Sequence, residues 1–196
     1  MKRIFDIVFS LVGIIILLPV FAIISLFIAL DSKGGILYRQ ERSGKKGKIF
    51  KVLKFRTMRP DSFSKGALTV GSRDSRITGI GFYLRKYKLD ELPQLFNVLK
   101  GDMSFVGPRP EVKKYTDLYD QRQIRVLSVR PGITDYASIR FRNENDLLAE
   151  SSDPEKLYID KIMPDKLDLN LKYIDDNNLF KDVKIILDTF YAIVKD

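Results

Sequence analysis

Apolar residues dominate positions 7–30, and no charged side chain interrupts this stretch. A straight helix over these 24 residues would be about 36 Å long, enough to cross a hydrocarbon core of roughly 30 Å. Pro19 lies at the middle of the run, where it removes a backbone hydrogen bond and favours a bend. The pattern predicts a membrane helix that either crosses the bilayer or, broken at Pro19, returns to the side it entered from.

The flanks of this helix distinguish the two courses. Lys2 and Arg3 precede the apolar run and a strongly basic stretch follows it, and positive flanks prefer the cytoplasm. We therefore predict the re-entrant course, and because no small-x-small motif follows the run, we expect no cleaved signal peptide. Asp6 lies within about one turn of Lys2 and Arg3, which predicts an ion pair on the helix surface.

The pattern after the membrane helix predicts a mostly helical α+β domain. Short apolar stretches at 36–38 and 49–55 are typical of strands, and the glycine-containing loop between them predicts a small β-hairpin. Apolar spacing predicts helices over 90–100, 121–129 and 181–194. The last helix carries an apolar stripe that suits either a core or an amphipathic interfacial helix. The stripe comprises Val183, Ile186, Leu187, Phe190 and Val194.

Two stretches predict irregular structure. Residues 60–76 are polar and mixed, which indicates a loop, and residues 101–110 are too rich in Gly and Pro for a regular element. No repeat or linker divides the chain. We therefore predict a membrane helix over residues 1–32 and a single domain over residues 33–196.

The formal net charge is +9, and cations are concentrated directly after the apolar run. From Lys33 to Arg59 there are ten basic residues and one acid, Glu41. Such a stretch suits anionic lipid headgroups, a phosphorylated substrate or nucleic acid. Its place beside the apolar run favours the first two, and the thin aromatic interleaving argues against nucleic acid.

The chain contains no Cys and no His, which excludes thiol nucleophiles, histidine bases and nearly every zinc site. Carboxylates, basic side chains or a hard metal such as Mg²⁺ must carry any chemistry. Asp90 and Glu91 stand at a predicted helix start, which is also an ordinary place for a capping acid. Arg109 lies between two prolines, which suits a rigid phosphate clamp or a structural turn. Arg130 and Arg142 are usually expected in solvent, but near a carboxylate pair they would bind phosphates.

Several segments in a fixed order carry a more specific signal. They are KRIFD at 2–6, the proline-containing apolar helix, KFRTM at 54–58, LDELPQLFNVLKGDMSFVGPRP at 89–110, VRPGIT at 129–134 and DVKI at 182–185. In these segments the chain resembles the bacterial sugar transferases, known as monotopic phosphoglycosyl transferases, over almost its whole length. The resemblance implies a re-entrant helix at the cytoplasmic face of the bacterial inner membrane.

The resemblance also implies a two-step reaction. Asp90 would be the nucleophile of an Asp-Glu dyad with Glu91, attacking the sugar-bearing phosphorus of a UDP-sugar and releasing UMP. A polyprenyl (undecaprenyl) phosphate would then accept the sugar phosphate, in the first membrane step of glycoconjugate assembly. Asp90 and Glu91 would hold Mg²⁺ at the diphosphate. The predicted substrate-binding residues are Arg56, Arg109, Arg130 and Arg142.

Two departures from the family pattern mark where recognition could differ. Leu18 precedes Pro19 where the family often has Ser, and residues 135–138 read DYAS where the family often has GWAQ. Membrane phospholipids, later glycosyltransferases and a second copy of the chain are compatible partners. A non-catalytic membrane scaffold and a membrane-tethered nucleic-acid-binding protein are the alternative function classes.

Overall fold

A long N-terminal helix packs on a mostly helical body in this computed structural model, which describes residues 1–59 and 74–195. The helices are α1 (Lys2–Asp31), α2 (Gly79–Lys86), α3 (Gln94–Lys100), α4 (Lys113–Thr116), α5 (Tyr136–Arg140), α6 (Glu144–Ala149), α7 (Pro154–Leu157), α8 (Met163–Asp175) and α9 (Leu179–Val194). The strands are β1 (Leu37–Ser43), β2 (Ile49–Phe55), β3 (Ser104–Val106) and β4 (Gly132–Thr134). Shorter 3-10 turns lie at Lys45–Gly47, Leu89–Glu91 and Gln123–Ser128, and a π-helical turn lies at Tyr158–Ile162.

One face of α1 packs on the body. Asp6, Ser10 and Ile14 are buried at four-residue spacing, and so are Ile24 and Ile28. The other faces expose large apolar side chains, which suits contact with lipid. These include Ile4, Val8, Phe9, Leu11, Ile15, Ile16, Leu18, Ile23, Leu26, Phe27 and Leu30. Within the described ranges, α1 is the one helix long and apolar enough to cross a membrane.

The body holds the N-terminal end of α1 through polar side chains. Lys2 pairs with Asp182 at the start of α9, and Arg3 donates to two carbonyl groups near the end of α3 at 2.6 and 2.9 Å. Asp6 accepts hydrogen bonds from Ser104 Oγ at 3.0 Å and from the next backbone N–H at 3.2 Å. The surface ion pair predicted for Asp6 is therefore wrong, because each of the three charged residues has a partner in the body.

The C-terminal end of α1 is held as well. The Asp31 carboxylate accepts a hydrogen bond from the Ile80 N–H at 3.1 Å. Arg56 Nη2 donates to the carbonyls of Ser32 at 2.6 Å and Ile28 at 3.4 Å, so its cation caps the last turn of the helix. The helix continues across Pro19 without ending there. Its bend and its re-entrant course remain predictions.

Buried apolar clusters join the elements. One cluster surrounds α8 and contains Tyr115, Val126, Leu148, Tyr158, Ile162, Met163, Leu167 and Leu171. A second joins α1 to β2 and α2 and contains Ile24, Ile28, Phe55 and Leu84. A third joins β2 to α3 and contains Val52, Val98 and Met103. The second and third clusters fix β2, α2 and α3 against one another, and the polar site described below lies around these three elements.

The predicted hairpin is confirmed, with a longer first strand than the pattern indicated. β1 and β2 pair antiparallel from Leu37 opposite Phe55 to Ser43 opposite Ile49. Most residues of β1 are polar, so the apolar pattern indicated only the start of this strand. Lys46 in the connecting turn is left-handed, with φ 58°.

The stretch predicted to be irregular contains a strand, so that prediction is wrong for three of its residues. β3 pairs in parallel with β4, with Ser104 opposite Gly132 and Val106 opposite Thr134. Each strand has only three residues and is bounded by Gly or Pro, and such short pieces escape pattern analysis. The pairing joins the segment that leads into Pro108-Arg109-Pro110 to the VRPGIT segment at 129–134.

Gly132 is required by the close approach of these two strands. A Cβ atom built on it would lie 2.5 Å from the Gly107 carbonyl oxygen and closer still to the Gly107 nitrogen, and backbone atoms cannot rotate away. We expect Gly132→Ala to lower the free energy of unfolding by about 3 kcal/mol or more. Gly35→Ala is the control, because its Cβ would meet nothing nearer than 3.8 Å. Equal thermal midpoints of the two variants in detergent would contradict this account.

The helix predictions differ from the structure in detail. The helix expected over 90–100 is divided into the 3-10 turn Leu89–Glu91 and α3, because Pro93 has no N–H for a continuous ladder. The helix expected over 121–129 is the 3-10 turn Gln123–Ser128. Of the loop expected over 60–76, all but the last residues lie outside the described ranges.

The last predicted helix is confirmed as α9, and its apolar stripe is mainly exposed. Leu187 and Phe190 are 61% and 64% exposed, whereas the buried apolar residue of the helix is Ile185. The core interpretation is therefore wrong for these two exposed residues, whereas Ile186 packs on the buried cluster that contains Ile185. The interfacial interpretation stays a prediction, and Phe180, at 90% exposed, extends the apolar surface to the start of the helix.

Candidate active site

Asp90 and Glu91 lie in the 3-10 turn that precedes α3. Lys88, left-handed with φ 56°, turns the chain out of α2 and into this turn. Pro93 follows and ends the turn before α3 begins. The two carboxylates are consequently placed side by side at the start of α3, and Asp90 is only 6% exposed.

Glu91 is held by two cations from other elements. Lys54, in β2, donates to Glu91 Oε1 at 2.9 Å. Arg109 donates from Nη1 to Glu91 Oε2 at 3.1 Å and from Nη2 to Oε1, which makes the pair bidentate. Burial raises the pKa of Glu91, but the charges and hydrogen bonds of Arg109 and Lys54 outweigh it and hold the pKa well below its ordinary value. Glu91 is therefore ionised and fixed in place.

Asp90 has a different environment although it is the next residue. Among the described residues, none donates a hydrogen bond to its carboxylate. Burial raises the pKa of Asp90, the charge of Lys54 opposes this, and the adjacent charge of Glu91 raises it further. Two neighbouring carboxylates with pKa values moved in opposite directions indicate two different roles.

Two cations of this site, Lys54 and Arg85, were not identified as site residues from the sequence pattern. Lys54 is a β2 residue within the KFRTM segment, and burial lowers its pKa. Arg85, in the last turn of α2, donates to Thr57 Oγ1 at 2.9 Å, and its charge lowers the pKa of Asp90 against the effect of burial. Local sequence pattern could not have placed Lys54 or Arg85 near Asp90, because tertiary packing brings them to the site.

Arg109 is positioned by its backbone as the prolines suggested. Its backbone N–H donates to Asp135 Oδ2 at 2.9 Å, and Asp135 is fully buried at the start of α5. The DYAS stretch thus supplies the residue that holds the PRP turn. The guanidinium of Arg109 binds Glu91 in this structure. Its role as a phosphate clamp stays a prediction.

The other predicted arginines make their hydrogen bonds elsewhere. Arg56 caps the end of α1, as described above. Arg130 Nε donates to the Gly101 carbonyl at 2.9 Å, and Arg142 Nη1 donates to the Ala192 carbonyl at 2.9 Å. These hydrogen bonds go to carbonyls at helix ends and not to the dyad. Their roles in substrate binding stay predictions.

The donor set fits a divalent metal that arrives with its substrate. Among the residues the structure describes, no three acidic side chains gather as a resident metal site would need. Mg²⁺ usually takes one or two carboxylates and completes its shell with water and substrate phosphates. The Asp90 carboxylate accepts no hydrogen bond from the described residues, so it is available to a metal. Glu91 would have to release Lys54 or Arg109 before one of its oxygens could bind a metal.

This arrangement suits phosphoryl transfer. A carboxylate can act as a nucleophile without a base to activate it. Lys54, Arg85 and Arg109 supply positive charge where a transferring phosphoryl group would accumulate negative charge. Histidine is absent from the chain, so a mechanism that needs no imidazole agrees with the composition.

Comparison with known proteins gives consistent matches. The family model for bacterial sugar transferase matches residues 1–196. A putative undecaprenyl-phosphate N-acetylgalactosaminyl 1-phosphate transferase from Bacillus subtilis is 47% identical over 131 residues, which cover 67% of this chain and 73% of the relative. The UDP-glucose:undecaprenyl-phosphate glucose-1-phosphate transferase of Escherichia coli is 36% identical over 97% of this chain but only 39% of the relative. The exopolysaccharide production protein ExoY of Rhizobium meliloti is 32% identical over 98% of this chain and 84% of the relative.

Proposed function

Because this chain belongs to the bacterial sugar transferase family, we propose that it transfers a sugar 1-phosphate from a UDP-sugar to undecaprenyl phosphate. Relatives are named as sugar-phosphate transferases that use undecaprenyl phosphate. The observation that carries the proposal is the buried Asp90, with its raised pKa, beside a Glu91 fixed by Lys54 and Arg109.

The first step is attack by an Asp90 carboxylate oxygen on the phosphorus that bears the sugar. The new O–P bond makes an acyl phosphate, and the P–O bond to the nucleotide breaks, so UMP leaves with the bonding electrons. Lys54, Arg85 and Arg109 neutralise the charge that develops on the phosphoryl oxygens. Glu91 holds two of these cations in position.

The second step regenerates the carboxylate. An oxygen of undecaprenyl phosphate attacks the same phosphorus, the bond to Asp90 breaks, and a diphosphate-linked sugar is released on the lipid. Asp90 and Glu91 are the residues that would hold Mg²⁺, which when bound neutralises charge on the substrate phosphates. The sugar itself is set by contacts that the dyad does not supply.

Intact-mass analysis tests both the reaction and the nucleophile. The purified chain is mixed with Mg²⁺ and one UDP-sugar at a time, without acceptor lipid. We expect UMP release and a mass increase equal to one sugar phosphate, and peptide mapping should place the adduct on Asp90. If no adduct forms but the same preparation transfers the sugar phosphate once undecaprenyl phosphate is added, the covalent route is wrong.

The contacts of α1 support a monotopic position at the cytoplasmic face. Both ends of this 30-residue helix are fixed to the same body, through Lys2 and Arg3 at one end and Asp31 and Ser32 at the other. A helix that crossed the membrane would have to release one of these ends. Its exposed apolar faces would lie in one leaflet, which is compatible with a re-entrant course.

Cysteine labelling tests this topology in a chain that has no native Cys. One cysteine is added directly after Met1 and, in a second variant, one replaces the exposed Lys33. We expect a membrane-impermeant maleimide to label neither in intact spheroplasts and both in inverted vesicles. Labelling of only one position from outside would indicate a crossing helix.

A further inference from the structure

A cationic cavity of about 170 Å³ lies beside the N-terminal end of α1. Its wall includes the basic residues Lys2, Arg3, Lys45 and Arg130, together with one acid, Asp6. They come from α1, the hairpin turn and the turn before β4. The two transfer steps proposed above use none of these side chains, although Arg130 was also predicted to bind substrate.

The cavity is separate from the dyad because the two lie at opposite ends of α3. Asp90 and Glu91 precede the helix, whereas Arg3 donates to carbonyls in its last turn and Arg130 donates to the Gly101 carbonyl just after it. The seven residues of α3 span about 10 Å. A phosphate held by the dyad therefore would not also contact Arg130.

Two of the cations retain donors that the described part of the chain does not use. The Lys45 side chain is exposed and has no ion-pair or hydrogen-bond partner there. Arg130 uses Nε for the Gly101 carbonyl, and its terminal nitrogens make no hydrogen bond to the residues described. Lys2 and Arg3 are committed to Asp182 and to α3, but their charge still adds to the positive potential. Asp6 is occupied by its own two hydrogen bonds.

The surroundings indicate a membrane lipid as the source of the anion. Ile4, next to the cavity residues on α1, is 68% exposed, and Phe9 one to two turns later is 54% exposed. Lys46 and Lys48 are exposed beside Lys45 in the same turn. A cationic hollow that adjoins a lipid-facing apolar surface has the polarity of the headgroup layer.

We propose that this cavity binds the phosphate of an anionic membrane phospholipid. Lys45 and the terminal nitrogens of Arg130 donate to the phosphate oxygens, and Lys2 and Arg3 add electrostatic attraction. The acyl chains lie along the exposed apolar face of α1. The bound lipid fixes how deeply the N-terminal end of the helix sits, and it leaves the dyad free for substrate.

Lipid binding to the purified full chain tests this site. The delipidated protein in detergent is titrated with phosphatidylglycerol or with phosphatidylcholine of the same acyl chains, and native mass spectrometry counts the bound lipids. We expect Lys45→Glu to weaken phosphatidylglycerol binding at least about tenfold, because it reverses one charge at the site. Arg130→Gln should act in the same direction while keeping a donor for the Gly101 carbonyl. Binding of phosphatidylcholine should change little.

Lys33→Glu is the matched control. Lys33 is also exposed, lies just beyond the other end of α1, and has no ion-pair or hydrogen-bond partner among described residues. We expect its phosphatidylglycerol affinity to stay within about twofold of wild type. Equal weakening by Lys33→Glu and Lys45→Glu would overturn the site, since it would mean diffuse attraction. If inorganic phosphate binds with the same affinity as phosphatidylglycerol, and this binding also depends on Lys45, the assignment of the ligand as a lipid is wrong.

The measurement needs no UDP-sugar and no turnover. Its result is thus independent of the proposed transfer reaction, and unchanged thermal midpoints of the variants would exclude misfolding as the cause of lost binding.

Discussion

We expect the substitution Asp90→Asn to lower the rate of UMP release by at least about 10³-fold. The amide has nearly the shape of the carboxylate but cannot form the acyl phosphate. The covalent adduct should disappear together with the turnover. Steady-state UMP release and intact mass, measured on the same preparation, check both parts.

The same variant should fold at least as well as wild type. The folded-state pKa of Asp90 is raised, so folding disfavours its ionised form. This penalty is absent below the ordinary carboxyl pKa, grows as pH rises through the folded value, and is complete above it. A neutral isostere removes the penalty, and no described residue donates a hydrogen bond to this carboxylate. We therefore expect a thermal midpoint at neutral pH that is equal to or above that of wild type.

Asp102→Asn is the control for this substitution. Asp102 lies just after the other end of α3 and pairs at 3.2 Å with Lys100, which is 76% exposed. It should retain nearly full activity, because an exposed pair contributes little. Normal transfer by Asp90→Asn would exclude the covalent mechanism and favour direct attack by the acceptor.

The predictable parts of the fold are those that depend on local pattern. The apolar run predicted the position of α1 to within a few residues. The helix extends beyond the run to Lys2 and Asp31, because these charged residues bind partners in the body. The hairpin and α9 were predicted for the same reason. The β3–β4 pairing and α8 were missed, since the former joins segments distant in sequence and the latter has its apolar positions among many charges.

The candidate site was predicted in part. The dyad and Arg109 came from motif and resemblance, and the structure brings Arg109 into contact with Glu91. Lys54 and Arg85 were missed, because a lysine in a strand and an arginine at a helix end look like ordinary surface residues until tertiary packing buries them. Arg56 and Arg130 were predicted to bind substrate, and in the structure both donate to carbonyls at helix ends.

Glu91→Gln is expected to reduce the rate about 10²-fold and to move the acid limb of the pH profile to lower pH. The rate falls because Arg109 and Lys54 lose the carboxylate that positions them. The limb moves because the charge of Glu91 helps to raise the pKa of Asp90, and the freed Lys54 lowers it further. The nucleophile must be ionised, so a lower pKa of Asp90 preserves activity to lower pH. The profile of UMP release from about pH 4 to 8 measures both effects.

Glu111→Gln separates this electrostatic effect from a loss of stability. Glu111 accepts a hydrogen bond from Arg42 at 2.9 Å, and the exposed fractions of the two side chains are 17% and 21%. The pair of Glu91 and Lys54 is similarly buried, with exposed fractions of 11% and 21%. Loss of the Glu111 carboxylate should also destabilise the fold, by less than the roughly 3–5 kcal/mol of a fully buried pair. Glu111 is not among the groups that shift the pKa of Asp90. The acid limb of the Glu111→Gln variant should therefore stay at the wild-type pH. If both variants shift the limb equally, Glu91 acts only through the stability of the fold, and its assignment as the partner of Asp90 fails.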